Sequence, residues 1–124
     1  MGHPGYCPAC FSHLDQAEDT CPSCGARMVE LSDRAFGDKL LHALHHPLAE
    51  VRMRAVIALG LRAEPPTAAA LVECALRHPT DVVAGIEIVE RLARFPEGPE
   101  RSTALSRLDR HPAHAVRIAA HRAR

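Results

Sequence analysis

Three of the chain's four His-Pro dipeptides, His46-Pro47, His78-Pro79 and His111-Pro112, recur at intervals of 32 and then 33 residues. Around them the sequence repeats. "LHHPLAEVRMRAVIAL" begins at Leu44, "LRHPTDVVAGIEIVERL" at Leu76 and "LDRHPAHAVRIAAHRA" at Leu108. A valine follows each proline by four: Val51, Val83 and Val116. Fixed periods of this length are the signature of repeat architectures, so they constrain the fold more than composition does.

The flanks of each dipeptide carry helical periodicity. Upstream lie Leu40, Leu41 and Leu44, then Leu71, Val72, Ala75 and Leu76, then Leu105 and Leu108. Downstream lie Val51, Ala55, Ala58 and Leu59, then Val82, Ile86, Val89 and Leu92, then Val116, Ala119 and Ala120. Spacings of i, i+3, i+4 and i+7 predict helices that bury one face. Proline ends the first helix of each unit and is expected in the first turn of the second, where its missing N–H costs nothing. "RAEPP" at 62–66 and "FPEGPE" at 95–100 are breakers between units. Each unit therefore reads as helix, His-Pro turn, helix, linker, with repeats at about 31–63, 64–97 and 98–124 and a last helix at about 114–123.

One helix pair cannot bury both of its faces, whereas stacked pairs can. The predicted fold class is mainly α: an α-solenoid of about three helix pairs. The pattern resembles the HEAT-repeat family, especially its short bacterial form related to phycobilisome lyase-type proteins. "HPLAEVRMRAVIALG" at 46–60 and "HPAHAVRIAA" at 111–120 carry that resemblance, with the paired Val51-Arg52 and Val116-Arg117. The middle unit departs, with Val83-Ala84 at the Val-Arg position and Glu87 where a small apolar residue is expected. A one-residue shift of register to Val82 restores its pattern. An irregular bundle of six helices is the competing architecture.

The first 30 residues differ. "CPACFSHLDQAEDTCPSCG", from Cys7 to Gly25, holds four of the five cysteines in two C-x-x-C pairs. Two such turns facing each other suit tetrahedral zinc, with Cys7, Cys10, Cys21 and Cys24 as a closed, structural shell of four thiolates. Pro8 and Pro22 preset φ in the turns, and Gly25 offers a position able to take φ > 0. Tyr6, Phe11, Leu14 and Met28 are the main large apolar groups here, too few for a core, so folding requires a metal. The stretch resembles the short zinc ribbons with CPxCG-type knuckles. "CPSCGA" at 21–26 matches, while Phe11 stands where that family has glycine in the first knuckle. A redox C-x-x-C belongs in a βαβ pattern, which does not follow. Cys74 lies alone on an apolar helical face and reads as a small buried hydrophobe.

The ribbon (1–30) and repeats (31–124) differ in charge. Residues 1–30 carry net −3, 31–64 net +1, 65–100 net −3 and 101–124 net +5, for an overall charge of zero. No global field points to nucleic acid or a membrane surface. No h-region opens the chain and no apolar run approaches the roughly 20 residues that span a bilayer, so a cytoplasmic location is expected.

Three function classes compete. A protein-interaction or scaffolding module would use the outward residues of the second helices: Arg52, Glu87, Glu90, Arg91 and Arg117. The recurrent Arg52 and Arg117 can equally pair structurally with an acid such as Glu50 or Asp81. A nucleic-acid adaptor would use the ribbon and the basic C-terminal segment. The ribbon's negative charge and the scarcity of aromatics (Tyr6, Phe11, Phe36, Phe95) oppose it. The lyase-type resemblance implies a subunit for cofactor attachment or enzyme maturation, yet no nucleophile–base pair stands out. His42, His45 and His46, spaced to bind metal, and the pair His111 and His114 read mainly as turn and surface histidines. The expectation is a non-catalytic interaction module with one structural Zn2+. Its expected partner is another protein, or a second copy docking at the C-terminal repeat. Met28, Val29 and Leu31 are expected to join the ribbon to a helix over 33–45.

Overall fold

The computed structural model describes residues 20–22, 24, 25 and 28–124, with side-chain detail for all of these except 28–35. Its regular elements are α1 (Met28–Ala43), α2 (Ala49–Arg62), α3 (Ala68–Arg77), α4 (Val82–Leu92), α5 (Pro99–Leu108) and α6 (His114–Ala123), with a 3-10 turn at Pro65–Thr67. The chain is mainly helical, as expected. Contacts separate it into two units, Met1–Lys39 and Leu40–Arg124. That division falls within α1. α1 also begins ahead of the expected residue 33, and Met28, Val29 and Leu31 lie inside it. None of the described helices is long and apolar enough to cross a membrane.

The second unit is built in two layers. In one, α4 packs between α2 and α6; in the other, α3 packs against α5. Contacts of α3 with α4, α4 with α5 and α5 with α6 join the layers. The helices of the first layer run parallel. A Cβ on Gly60, near the end of α2, would meet the Arg91 stem near the end of α4 at 2.4–2.8 Å. A Cβ on Gly85, in the first turn of α4, would meet Val116 Cγ2 in the first turn of α6 at 2.7 Å. Both distances lie below van der Waals contact, so only glycine lets these helix pairs approach so closely.

The core lies between the layers. Leu44, Val56, Leu59, Leu71, Val72, Ile88, Val89, Leu92, Leu105, Leu108 and Val116 are fully buried in it. Removing each such side chain from water contributes about 1.5–3 kcal/mol before ordering costs. Cys74 joins this cluster, its Sγ 3.6 Å from the Leu44 carbonyl, and burial pushes its thiol above the ordinary range despite the nearby Arg77 and Arg52 charges.

Local chemistry explains the helix ends. The expected breakers fall at helix boundaries, overlapping the last residue of α2 and the first two of α5. Ala63 closes α2 in the left-handed region at φ 47°, its N–H donating to Leu59 O at 3.0 Å. Thr67 Oγ1 donates to Glu64 O at 2.7 Å in the 3-10 turn, and Pro99 opens α5. The His-Pro prolines differ from expectation. Pro47, Pro79 and Pro112 lie ahead of the caps Leu48, Asp81 and Ala113, outside the first helical turn. In the middle unit the cap stands one residue further from the proline. α4 consequently starts at Val82, and Val83 is 71% exposed. The shift is one residue but runs opposite to that expected: counted from the caps, Ala84 and not Val82 takes the place of Val51 and Val116, because the longer turn moves the helix start away from the proline.

Candidate functional site

The cysteine stretch is described only at its second knuckle. Gly25 sits at φ 77°, and its N–H donates to Cys21 O at 2.8 Å, closing a turn that contains Cys21 and Cys24. The residue after Cys24 must be glycine because a Cβ is disfavoured at that φ. Cys21 is buried and Cys24 exposed. A turn that presents two sulfurs three residues apart fits half of a tetrahedral four-thiolate shell. Cys7 and Cys10, the other two expected ligands, lie outside the described residues. Among the described residues, no group of three or more His, Cys, Asp or Glu side chains is placed to hold a metal, the histidines at 42, 45 and 46 included.

The His-Pro turns form a second constellation, whose roles the sequence left open. His46 Nδ1 accepts the Leu48 N–H at 3.1 Å, and His111 Nδ1 accepts the Ala113 N–H at 2.9 Å. The ring thus bonds the N–H of the N-cap residue itself and fixes the turn that leads into the helix, while the first-turn N–H groups receive no side-chain cap from Leu48 or Ala113. Arg52 Nη1 donates to the His46 and Pro47 carbonyls at 2.8 and 3.0 Å. Arg117 Nη1 donates to the His111 and Pro112 carbonyls, both at 2.8 Å. Arginine five residues after proline therefore satisfies two carbonyls that neither helix uses. The recurrence of that arginine was the available signal.

The middle turn is held by other groups. Ala84 occupies the arginine position. Asp81 Oδ1 instead accepts the Ala84 N–H at 3.2 Å, and Asp81 Oδ2 lies 3.6 Å from Arg52 Nη2. One arginine thus secures its own turn and reaches the next. His78 lies beside this group. Its burial, then the Arg52 and Arg77 charges, hold its pKa below the ordinary 6.5.

These contacts sort the residues expected to face a partner. Arg52 is buried, with its Nη atoms on the turn and on Asp81, so it presents nothing outward. The structural pairing with Asp81 is the role the geometry supports. Arg117 is bound to its own turn and half-buried. Glu87 and Arg91 are brought together as an i, i+4 ion pair at 3.2 Å on α4, and Glu90 is exposed beside them.

The outward side of the α2, α4 and α6 layer carries a different feature. Met53, Ile86 and Ile118 each stand five residues after their helix cap, Leu48, Asp81 and Ala113. Equal register on parallel neighbours sets them in a row, one residue per helix. Met53 and Ile86 are half-buried and Ile118 is 38% exposed. Val83 and Leu61 on the same layer are 71% and 73% exposed. Isolated apolar surface residues are ordinary; an aligned set is a feature of recognition surfaces. Helical periodicity did not reveal it, because Met53 and Ile118 fall outside the apolar stripe while Ile86 counts within it and packs partly against the core. Comparison with protein-family models, curated proteins and solved structures finds no match to this chain.

Proposed function

We propose that this chain is a non-catalytic protein-interaction or scaffolding module: an α-solenoid of three HEAT-like helix pairs, carrying a zinc ribbon whose Cys7, Cys10, Cys21 and Cys24 hold one structural Zn2+. The observation that carries the interaction reading is the apolar row Met53, Ile86 and Ile118. Layered packing of like helices supports the solenoid, since second helices pack on second helices and first on first. The Cys21–Gly25 turn supports the ribbon. Neither support requires a catalytic group. Neighbouring packed helices lie about 8–10 Å apart, so the row spans about 20 Å, a length suited to one helix or extended segment of another protein.

The test is affinity capture with the full chain beside an Ile86→Glu/Ile118→Glu variant whose helicity is verified by circular dichroism. The expected result is a specific partner retained by the parent and lost by the variant. Identical captured sets for the two proteins would remove the reading. Metal analysis after purification without added zinc tests the ribbon separately: one zinc per chain is expected, and none would return the cysteines to redox chemistry.

A further inference from the structure

The layer formed by α3 and α5 carries a second surface, distinct from the row described above. A shallow groove runs between the start of α3 and α5. Pro65, Pro66 and Ala69 line one side and Pro99, Thr103 and Arg107 the other. It continues into a depression lined by Leu76, Ser102, Thr103, Ser106, Arg107 and Arg110. Thr103 and Arg107 belong to both, so the two form one channel. One end is apolar and proline-walled, with Glu100 also lining it. The other end holds two arginines and three hydroxyls.

The arginines are uncompensated. Neither Arg107 nor Arg110 forms a hydrogen bond through its side chain or an ion pair among the described residues. Asp109, the nearest acid in sequence, is taken by Arg124. Arg101, on the same helix, donates to the Phe95 and Ala123 carbonyls and is bound inward. Arg107 in the last turn of α5 and Arg110 in the turn just past it line the same depression, so two like charges face one site with no anion among the described residues to neutralise them. Ser102, Thr103 and Ser106 are exposed, and their hydroxyls have no partner among the described residues. Guanidinium forks flanked by hydroxyl donors match the several acceptor oxygens of a carboxylate or phosphoryl group.

We propose that this channel binds an extended peptide segment bearing an oxyanion, with the anion between Arg107 and Arg110 and the flanking residues along the proline-walled end. Glu100 sets the direction, because it repels the anion from that end. A single depression with two arginines suits one anionic side chain. It gives no path for a nucleic-acid backbone, and the chain as a whole is neutral.

Fluorescence anisotropy with the full chain tests this. The probes are three labelled ten-residue Ala/Pro peptides whose central residue is phosphoserine, glutamate or serine. Saturable binding of either anionic peptide, at least tenfold weaker for the serine peptide and falling with salt, is expected; the tighter of the two names the anion. Arg107→Gln/Arg110→Gln should lower that affinity at least tenfold. So should Ser106→Glu, which sets a fixed carboxylate beside the arginines. Arg54→Gln/Arg94→Gln, on exposed arginines elsewhere, should leave it unchanged. The proposal is overturned by no saturable binding or by equal binding of the serine peptide. It is also overturned by affinity unmoved in the folded Arg107/Arg110 and Ser106 variants, or by single-stranded DNA or inorganic phosphate binding as tightly as the anionic peptides. Loss of the protein partner in the Ile86/Ile118 variant does not bear on it, since that surface lies in the other layer.

Discussion

His46 and His111 share one motif, one neighbouring proline and one ring-to-backbone bond, yet they should differ severalfold in their contribution to stability. His111 is fully buried, and its Nε2 lies 3.0 Å from the Ala75 carbonyl on α3. Because Nδ1 accepts from Ala113 N–H, the proton sits on Nε2 and donates to that carbonyl. His111→Ala would strand a buried carbonyl, costing about 1–3 kcal/mol. It would also release the Ala113 N–H, about 1 kcal/mol for a lost hydrogen bond. The cavity left by the ring adds to both, for a total of about 3–5 kcal/mol. His46 has only the Leu48 N–H, at a half-buried site near solvent, so His46→Ala should cost about 0.5–1 kcal/mol. Urea unfolding followed by circular dichroism reads both. At a slope of about 1.5 kcal/mol/M, the first should move the midpoint by about 2 M or more and the second by less than about 0.7 M. Asn and Gln at 111 separate the two bonds, since Asn can reach the Ala113 N–H and Gln the Ala75 carbonyl. Equal midpoints for His46→Ala and His111→Ala would refute the assignment of the buried link.

Other substitutions probe the same packing. Gly85→Ala gains about 1 kcal/mol of helix propensity but drives a methyl into Val116, and overpacking of about 1–3 kcal/mol should win; a raised melting temperature would contradict the close approach of α4 and α6. Arg52→Leu should cost about 2–4 kcal/mol by stranding two turn carbonyls and the Asp81 carboxylate, and Arg117→Leu about 1 kcal/mol because water can reach its half-buried turn; denaturant midpoints in the reverse order would exclude this division. His78 binds protons less readily folded than unfolded, so the unfolded state takes up more of them as pH falls through the ordinary value near 6.5. Its neutral form favours folding above that value, and stability should drop on going from pH 7.5 to 5.5. That drop should shrink in His78→Gln, and an unchanged drop would remove His78 from the account.

Residue type and spacing were enough to set the elements. Three His-Pro turns at a near-constant period, apolar residues at helical spacing and proline-rich breakers set three helix pairs, and the last helix lies where the periodicity put it, at His114–Ala123. Gly25 was legible because φ > 0 after a knuckle cysteine is a local demand. These are nearest-neighbour effects, which a linear pattern can carry. Packing between distant segments made identical motifs different. His111 is buried under α3 while His46 stays near solvent, because burial depends on what packs on a turn and not on the turn. Arg52 faced outward on the helical wheel, but its long side chain folds back to two carbonyls and crosses to Asp81 of the next unit. Met53, Ile86 and Ile118 lie about 33 residues apart in the chain and meet only as a row, since parallel packing of α2, α4 and α6 sets their register. The groove between α3 and α5 arises in the same way. Sequence separation hides such juxtapositions, because hydrophobic burial and close packing of distant segments select them.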